Sequence, residues 1–148
     1  MLAPSPRGVG FVAGSDPERL SQLLRLLERP PVQRLVRLGE VFVRALVDTA
    51  PARRHMFALD ALDRALATDG EVLLVDRIEA LFLPDLRLRV LDALQHIARD
   101  RVLLVAWPLP DRAACRVVAS GRVLTYATEG HPEHTRAAVG DLSLWCLG

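Results

Sequence analysis

The sequence EVLLVD, which occupies residues 71–76, is the stretch that decides the fold. Its four central residues are all apolar, without the alternation of apolar and polar residues that marks a strand with one solvated face. A second run of this kind, VLLVAW, occupies residues 102–107. Strands that are apolar on both faces are typical of parallel sheets covered by helices on both sides. We therefore expect residues 72–75 and 102–106 to form adjacent or near-adjacent parallel strands at the centre of a sheet.

Strand and helix patterns alternate along the rest of residues 9–107. Two further strands are predicted at residues 9–13 and 32–38, and four helices from Ser15 to the stop at Pro30-Pro31 and at residues 40–50, 55–68 and 86–100. In the second of these helices, the residues expected to face the core are Val41, Ala45, Leu46 and Val47. Alternating strands and helices predict a mostly parallel sheet with helices on both faces. The chain is therefore expected to be a single three-layer α/β domain over residues 1–148.

The carboxyl-terminal part has a different pattern. Residues 116–119 and 122–127 are β-like and flank Ser120-Gly121, which favours a tight turn and predicts a short β-hairpin. Residues 142–147 are mostly apolar, and the sequence leaves open whether they form a final strand or an apolar tail.

The composition argues against several classes of protein. All 19 basic residues are arginine, the net charge is +1, and no basic run exceeds two residues, so the basic patch of a nucleic-acid-binding domain is missing. No apolar stretch approaches the ~20 residues of a membrane-spanning helix, and no signal-peptide pattern precedes residue 10. The two cysteines, Cys115 and Cys146, do not make a disulfide framework. We expect a cytoplasmic protein that binds neither membranes nor, directly, nucleic acid.

The first strand leads into a helix, as in P-loop NTPases, but the phosphate-binding motif is missing. That motif, G-x-x-x-x-G-K-[ST], cradles phosphates with backbone amides and neutralises them with its lysine. The corresponding residues 14–19, GSDPER, contain one glycine and no lysine. Pro17 has no amide donor, and the acids Asp16 and Glu18 are favourable at a helix N-terminus by themselves. The leading interpretation is an ordinary helix start capped by Ser15, with Glu18 completing a capping box.

An alternative interpretation keeps nucleotide binding. In it Gly14 ends the first strand, and Arg19 replaces the missing lysine, since arginine can bind phosphate. Asp76 would then be the magnesium-linked acid that ends a strand in NTPases. Many ATPases place a catalytic glutamate directly after that acid, whereas this chain has Arg77. No catalytic residue is therefore predicted, and Asp76 also suits an ordinary strand end or helix cap.

The histidines and cysteines of the carboxyl-terminal part do not predict a metal site. Structural zinc sites usually show compact C-x-x-C pairs. Here His131 and His134 are separated by two residues, and Cys115 and Cys146 are isolated. The sequence therefore predicts neither a metal nor a cofactor.

Three stretches together resemble BrxF, the small P-loop-containing protein of type 3 BREX bacteriophage defence systems: residues 73–82 (LLVDRIEALF), 84–88 (PDLRL) and 102–108 (VLLVAWP). Residues 124–127 (LTYA) and 130–133 (GHPE) look like its carboxyl-terminal signature. The resemblance covers residues 71–134 by sequence and the first half of the chain by layout. The family's P-loop would fall at residues 14–20, where this chain lacks it, and His134 stands where an aromatic residue is expected. The resemblance implies a P-loop-NTPase-type fold, a role in phage defence and partners among the subunits of a BREX complex.

Three functions remain open from the sequence. The leading one is a non-catalytic, NTPase-like subunit of the defence complex that acts by binding proteins. The second is a divergent ATPase of the same system that uses Arg19 and Asp76, and the third is a DNA-contacting accessory subunit, which the charge balance disfavours. Aromatic and arginine residues are favoured at protein interfaces. We therefore expect a subunit interface, or an interface with a second copy of the chain, at Tyr126, His131, Glu133, His134 and Arg136.

Overall fold

A computed structural model describes residues 8–68 and 70–109, together with the backbone of three short strands at residues 123–124, 137–138 and 143–147. The strands are β1 (Gly8–Gly14), β2 (Gln33–Arg37), β3 (Val72–Asp76), β4 (Val102–Pro108), β5 (Val123–Leu124), β6 (Ala137–Ala138) and β7 (Ser143–Leu147). The α-helices are α1 (Pro17–Leu27), α2 (Leu38–Leu46), α3 (Arg54–Ala65) and α4 (Val90–Ile97). Short 3-10 helices lie at Pro51–Arg53, Glu79–Phe82, Pro84–Leu86 and Ala98–Asp100.

The main sheet has the strand order β2-β3-β4-β1-β7, and all of its neighbouring strands are parallel. The two strands that are apolar on both faces are neighbours inside it, with Val72 beside Val102 and Val75 beside Val105. The prediction of two adjacent, parallel central strands is therefore confirmed. The last strand, β7, pairs with β1, so the apolar residues near the carboxyl end form a strand and not a tail.

A second, small sheet is formed by β5 and β6, which pair in the antiparallel direction. β5 belongs to the predicted hairpin, and the strand that it pairs with is residues 137–138. The other predicted arm, residues 116–119, and the turn Ser120-Gly121 lie outside the described residues.

Helices cover both faces of the main sheet. On one face, Leu20 and Leu24 of α1 pack against Val12, Leu74 and Ala106, which lie on β1, β3 and β4. The alternate residues of these strands face a larger core that they share with α2, α3 and α4. The connection from β1 to β2 runs across the sheet in one direction, and the connections from β2 to β3 and from β3 to β4 run in the opposite direction. Because such crossovers are right-handed, the helix of the first connection lies on one face and the helices of the other two lie on the opposite face. The layers are those of a three-layer α/β fold, as expected.

The orientation of α2 differs from the prediction. The helix begins at Leu38, directly after β2, and buries Leu38, Phe42 and Leu46 at spacings of four residues. Val41 and Val47 were expected to face the core, but 38% and 59% of their surfaces are exposed, and Ala45 is exposed as well. The prediction is confirmed for Leu46 and wrong for the other three residues, because α2 has apolar residues on several faces and its sequence alone does not select one buried stripe.

Trp107 links the end of β4 to the segment that follows β3. Its ring contacts Phe11 and Phe82 edge-on, with ring centroids 5.7 and 5.2 Å apart. All three side chains are fully buried, and edge-to-face pairs at this separation are favourable. Because Phe82 lies in the 3-10 helix after β3, this aromatic cluster holds that helix against the carboxyl end of the sheet.

Among the helices of the described residues, none combines the length and apolar character needed to cross a bilayer.

Candidate functional site

The carboxyl ends of β1 and β3 lie at the same edge of the parallel sheet, and each strand continues into a segment on a different face. α1 follows β1 on one face, while α4 follows β3 on the other. In open α/β sheets, ligands bind outside the carboxyl ends of strands where the connections diverge in this way. This edge is therefore the place to test for a nucleotide site.

The connection from β1 to α1 is short, and its own side chain caps the helix that follows. Only Ser15 and Asp16 separate the last residue of β1 from the first residue of α1. The Asp16 carboxylate accepts hydrogen bonds from the backbone N–H groups of Glu18 (3.0 Å) and Arg19 (3.4 Å). The N-cap is thus Asp16. The sequence analysis predicted Ser15, so that prediction was wrong. Pro17 explains the difference, because its fixed φ suits the first helical position and the N-cap must precede it directly.

This connection cannot provide the amide cradle of a phosphate-binding loop. Such a loop places four residues between its two glycines before the helix carries the lysine. Here Gly14 is still extended in the sheet, where it lies between Pro108 and Leu147, and its carbonyl accepts a hydrogen bond from Leu109 N–H (2.8 Å). Pro17 has no amide hydrogen, and the next two amides already donate to Asp16. In the first turn of α1, the amide donor is therefore missing at Pro17 and already used at Glu18 and Arg19.

The chain places its own ion pair at this helix terminus. Arg77, the residue after β3, donates through its guanidinium to Glu18 in the first turn of α1 at 2.8 Å. The hydrogen bond to Glu18 raises the pKa of Arg77, partial burial opposes that rise, and the negative charges of Asp76, Glu18 and Glu79 add to it. An anion that used Arg77 would have to compete with Glu18.

Arg77 also has an unusual backbone conformation. Its φ is +60°, in the left-handed region that L-residues rarely adopt. The neighbouring start of α2 leaves little room: a Cβ added to Gly39 would lie 3.0 Å from the Arg77 carbonyl oxygen. The turn after β3 is therefore packed against α2 through backbone, and glycine at position 39 allows that approach.

Asp76 is the buried acid of this edge. It ends β3, exposes 4% of its surface, and accepts a hydrogen bond at Oδ1 from the N–H of Arg77 (2.9 Å). Because side chains alternate along a strand, Asp76 lies on the same face of β3 as Leu74, which packs against α1. Asp76 thus helps to shape the turn that directs Arg77 toward Glu18.

The residues of the predicted degenerate nucleotide site are distributed over this edge without forming a binding loop. Gly14 is part of the sheet, Asp76 is buried in a turn, and Arg19 is an exposed residue of α1. The sequence did not predict the pair formed by Glu18 and Arg77, which are 59 positions apart. Its one available signal was an acid in the first turn of a helix after one strand and a base directly after another strand.

The predicted interface lies elsewhere in the chain. Tyr126, His131, Glu133, His134 and Arg136 fall outside the described residues. Within the described residues, no group of three or more histidine, cysteine, aspartate or glutamate side chains is placed to hold a metal ion.

Two surface depressions are lined by residues other than those of the candidate nucleotide site. An apolar groove of about 110 Å³ runs between α2, α3 and the 3-10 helices after β3, lined by Val43, Leu46, Val47, Arg54, Leu83 and Leu86. A smaller, polar depression of about 80 Å³ includes Asp63, His96, Arg99 and Arg101. In the latter, Arg101 donates to the carbonyls of Leu66 (2.7 Å) and Thr68 (3.0 Å), so its guanidinium caps the end of α3.

Comparison of the chain with protein-family models, with curated proteins and with solved structures finds no match.

Proposed function

We propose that this chain is a non-catalytic domain of P-loop-NTPase type, which acts through protein–protein contacts as a subunit of a type 3 BREX defence complex. The observation that carries the non-catalytic part is the intramolecular pair of Glu18 and Arg77 at the start of α1. The defence role rests on the resemblance of residues 71–134 to BrxF.

The layout of the sheet supports the proposed fold type. In P-loop NTPases a strand leads through the phosphate loop into a helix, and the magnesium-linked acid ends another strand. β1 followed by α1, and Asp76 at the end of β3, occupy corresponding positions. β4 lies between these two strands, so both carboxyl ends border the same region.

The charges at the start of α1 support loss of nucleotide binding. Asp16 and Glu18 are negative and lie where a phosphate would need positive potential and free amides. Arg77, a positive group that reaches this helix start from the end of β3, is already paired with Glu18. A nucleotide phosphate would therefore meet the repulsion of two carboxylates without a lysine to offset it.

The test of this part is calorimetric titration with Mg-ATP and with Mg-GTP. We expect no binding tighter than about 1 mM, which corresponds to about 4 kcal/mol. A micromolar dissociation constant that is lost in Asp76→Asn or Arg19→Ala would overturn the proposal. It would instead support a divergent ATPase, a function favoured by the burial of Asp76 at the end of β3.

The test of the protein-binding part is co-purification from cells that carry the complete defence system. The variant combines Glu133→Arg and Arg136→Glu with His134→Ala, and we expect weaker co-purification and weaker phage protection with a nearly unchanged thermal midpoint. A matched control reverses the exposed ion pair of Asp60 and Arg64 on α3, which exchanges the same kinds of charge at another surface. Full association and protection in the folded triple variant would exclude this interface.

A further inference from the structure

β2 lies at the edge of the main sheet, and β3 is the one described strand that it pairs with. Edge strands present N–H and C=O groups to which the strand of another chain can bind. The bond from Val72 N–H to the Val32 carbonyl (3.0 Å) shows that the even-numbered residues direct their backbone groups toward β3. The backbone groups of Gln33 and Leu35 therefore point outward, since these groups alternate along a strand.

The two residues that follow α1 bond to both outward groups of Gln33 and to the N–H of Leu35. Gln33 and Arg29 exchange two backbone hydrogen bonds, each 3.0 Å long. Leu35 N–H donates to Oε2 of Glu28 at 2.8 Å in a partly buried position. The guanidinium of Arg29 also donates to the carbonyls of Leu26 (2.9 Å) and Glu28 (2.7 Å), which ties this segment to the end of α1.

The backbone bridge from Arg29 and the carboxylate of Glu28 have different effects on the ability of the edge to bind another strand. The backbone of Arg29 contains both a donor and an acceptor, as any strand does. An ionised carboxylate only accepts hydrogen bonds. The carboxylate therefore satisfies Leu35 N–H without offering a donor to an incoming strand. Burying its charge against such a strand would be unfavourable as well.

The surrounding sequence shows why this edge needs protection. Residues 32–36, VQRLV, begin and end with valine, which favours strands. Val32 exposes 45% of its surface beside the edge, and Leu35 is partly buried. A second copy of the chain has the same edge and could pair with it. A two-fold axis would bring the two β2 strands together in antiparallel order.

We propose that Glu28 guards the β2 edge, and that its carboxylate prevents β2 from pairing with β2 of a second copy of the chain. The proposal rests on the described hydrogen bonds and is independent of the proposed defence role.

The experiment compares three variants of the full chain with the unmodified protein. Glu28→Ala removes the acceptor, Glu28→Gln keeps an acceptor oxygen without the charge, and Glu71→Ala makes the same charge change at an exposed position just before β3. Exchange of the Leu35 amide hydrogen is followed at low protein concentration, and association is followed by sedimentation velocity over a range of higher concentrations.

In Glu28→Ala, we expect the Leu35 amide to exchange roughly tenfold faster, as loss of a hydrogen bond to a charged group implies. We also expect this variant to associate more strongly than the unmodified protein, and protection of the Leu35 amide to return as association proceeds. Glu71→Ala should match the unmodified protein in both measurements, and Glu28→Gln should retain protection of the Leu35 amide.

Unchanged exchange of the Leu35 amide in Glu28→Ala would overturn the role of the carboxylate. Faster exchange without stronger association would overturn the pairing of two β2 edges, and so would association in which Leu35 stays unprotected. Equal behaviour of Glu28→Gln and Glu28→Ala would overturn the assignment to the hydrogen bond.

Discussion

Replacing Arg77 separates the two effects that meet at this residue, its ion pair and its backbone strain. Arg77→Ala removes the bond to Glu18 but leaves a Cβ on a backbone with φ of +60°. Arg77→Gly removes the same bond and relieves the strain. Arg87 provides a matched position, because it is exposed, has φ of +51°, and lies in the same connection between β3 and α4.

The structure sets the size of each effect. The Arg77 and Glu18 side chains are 39% and 68% exposed, so solvent screening limits their pair to about 0.2–1 kcal/mol. The left-handed conformation costs an L-residue about 1–2 kcal/mol, and the extra unfolded-state entropy of glycine offsets roughly 0.5–1 kcal/mol of that gain. Glycine should therefore give a higher free energy of unfolding than alanine by about 0.5–1 kcal/mol at either position.

Equilibrium urea denaturation measures these differences, provided that the slope of the unfolding free energy with urea is unchanged. We expect Arg77→Ala to be destabilised and Arg77→Gly to lie close to the unmodified protein, whereas Arg87→Gly should be more stable than it. A double-mutant cycle of Glu18→Ala with Arg77→Gly should give a coupling of about 0.2–1 kcal/mol that weakens in 1 M salt. Equal stability of the glycine and alanine variants at position 77, with a clear difference at position 87, would refute the strain argument. A coupling of zero at low salt would refute the role of the ion pair.

Three further predictions concern the parts of the fold that position this edge. Asp16→Ala should lower the free energy of unfolding by about 1 kcal/mol because it removes the N-cap of α1, whereas Ser15→Ala should change it little; urea denaturation of both variants provides the comparison, and the reverse order would contradict the assigned cap. Phe82→Ala should lower the free energy of unfolding by about 3–5 kcal/mol because it opens a cavity beside Trp107. Calorimetry measures this change, and a decrease below about 1 kcal/mol would contradict the prediction. Gly39→Ala should destabilise the fold although alanine favours helices, because its Cβ would lie 3.0 Å from a backbone oxygen; a thermal midpoint equal to or above that of the unmodified protein would show that the turn after β3 can move.

The centre of the sheet could be predicted because its signal is local. Residues 72–75 and 102–106 are apolar on both faces, and that pattern fits a buried parallel strand and little else. The stripe of α2 could not be predicted in the same way. Valine, leucine and phenylalanine lie around most of that helix, and only contact with α3 and the segment after β3 selects Phe42 over Val41 and Val43.

The contacts of the candidate site could not be predicted from local sequence. Missing glycines and a missing lysine are visible in residues 14–19. The shift of the cap from Ser15 to Asp16 depends on where the helix begins, and element boundaries are weakly encoded by local sequence. The pairing of Glu18 with Arg77 depends on the strand order, which brings together two segments that no sequence spacing connects.

The position of β1 in the sheet has a consequence for how the chain acquires its structure during synthesis. Both neighbours of β1 come from much later in the chain: Gly8 lies beside Val102, and Gly10 lies beside Ser143. Contacts so distant in sequence form slowly, because the loop between them must close first. β2, β3 and β4 can assemble in the order in which they leave the ribosome, whereas β1 has no strand to pair with until β4 has emerged. A nascent chain paused before residue 102 would therefore leave the β1 backbone unpaired and Phe11 without its contact to Trp107, and this interval is when chaperone binding would matter most.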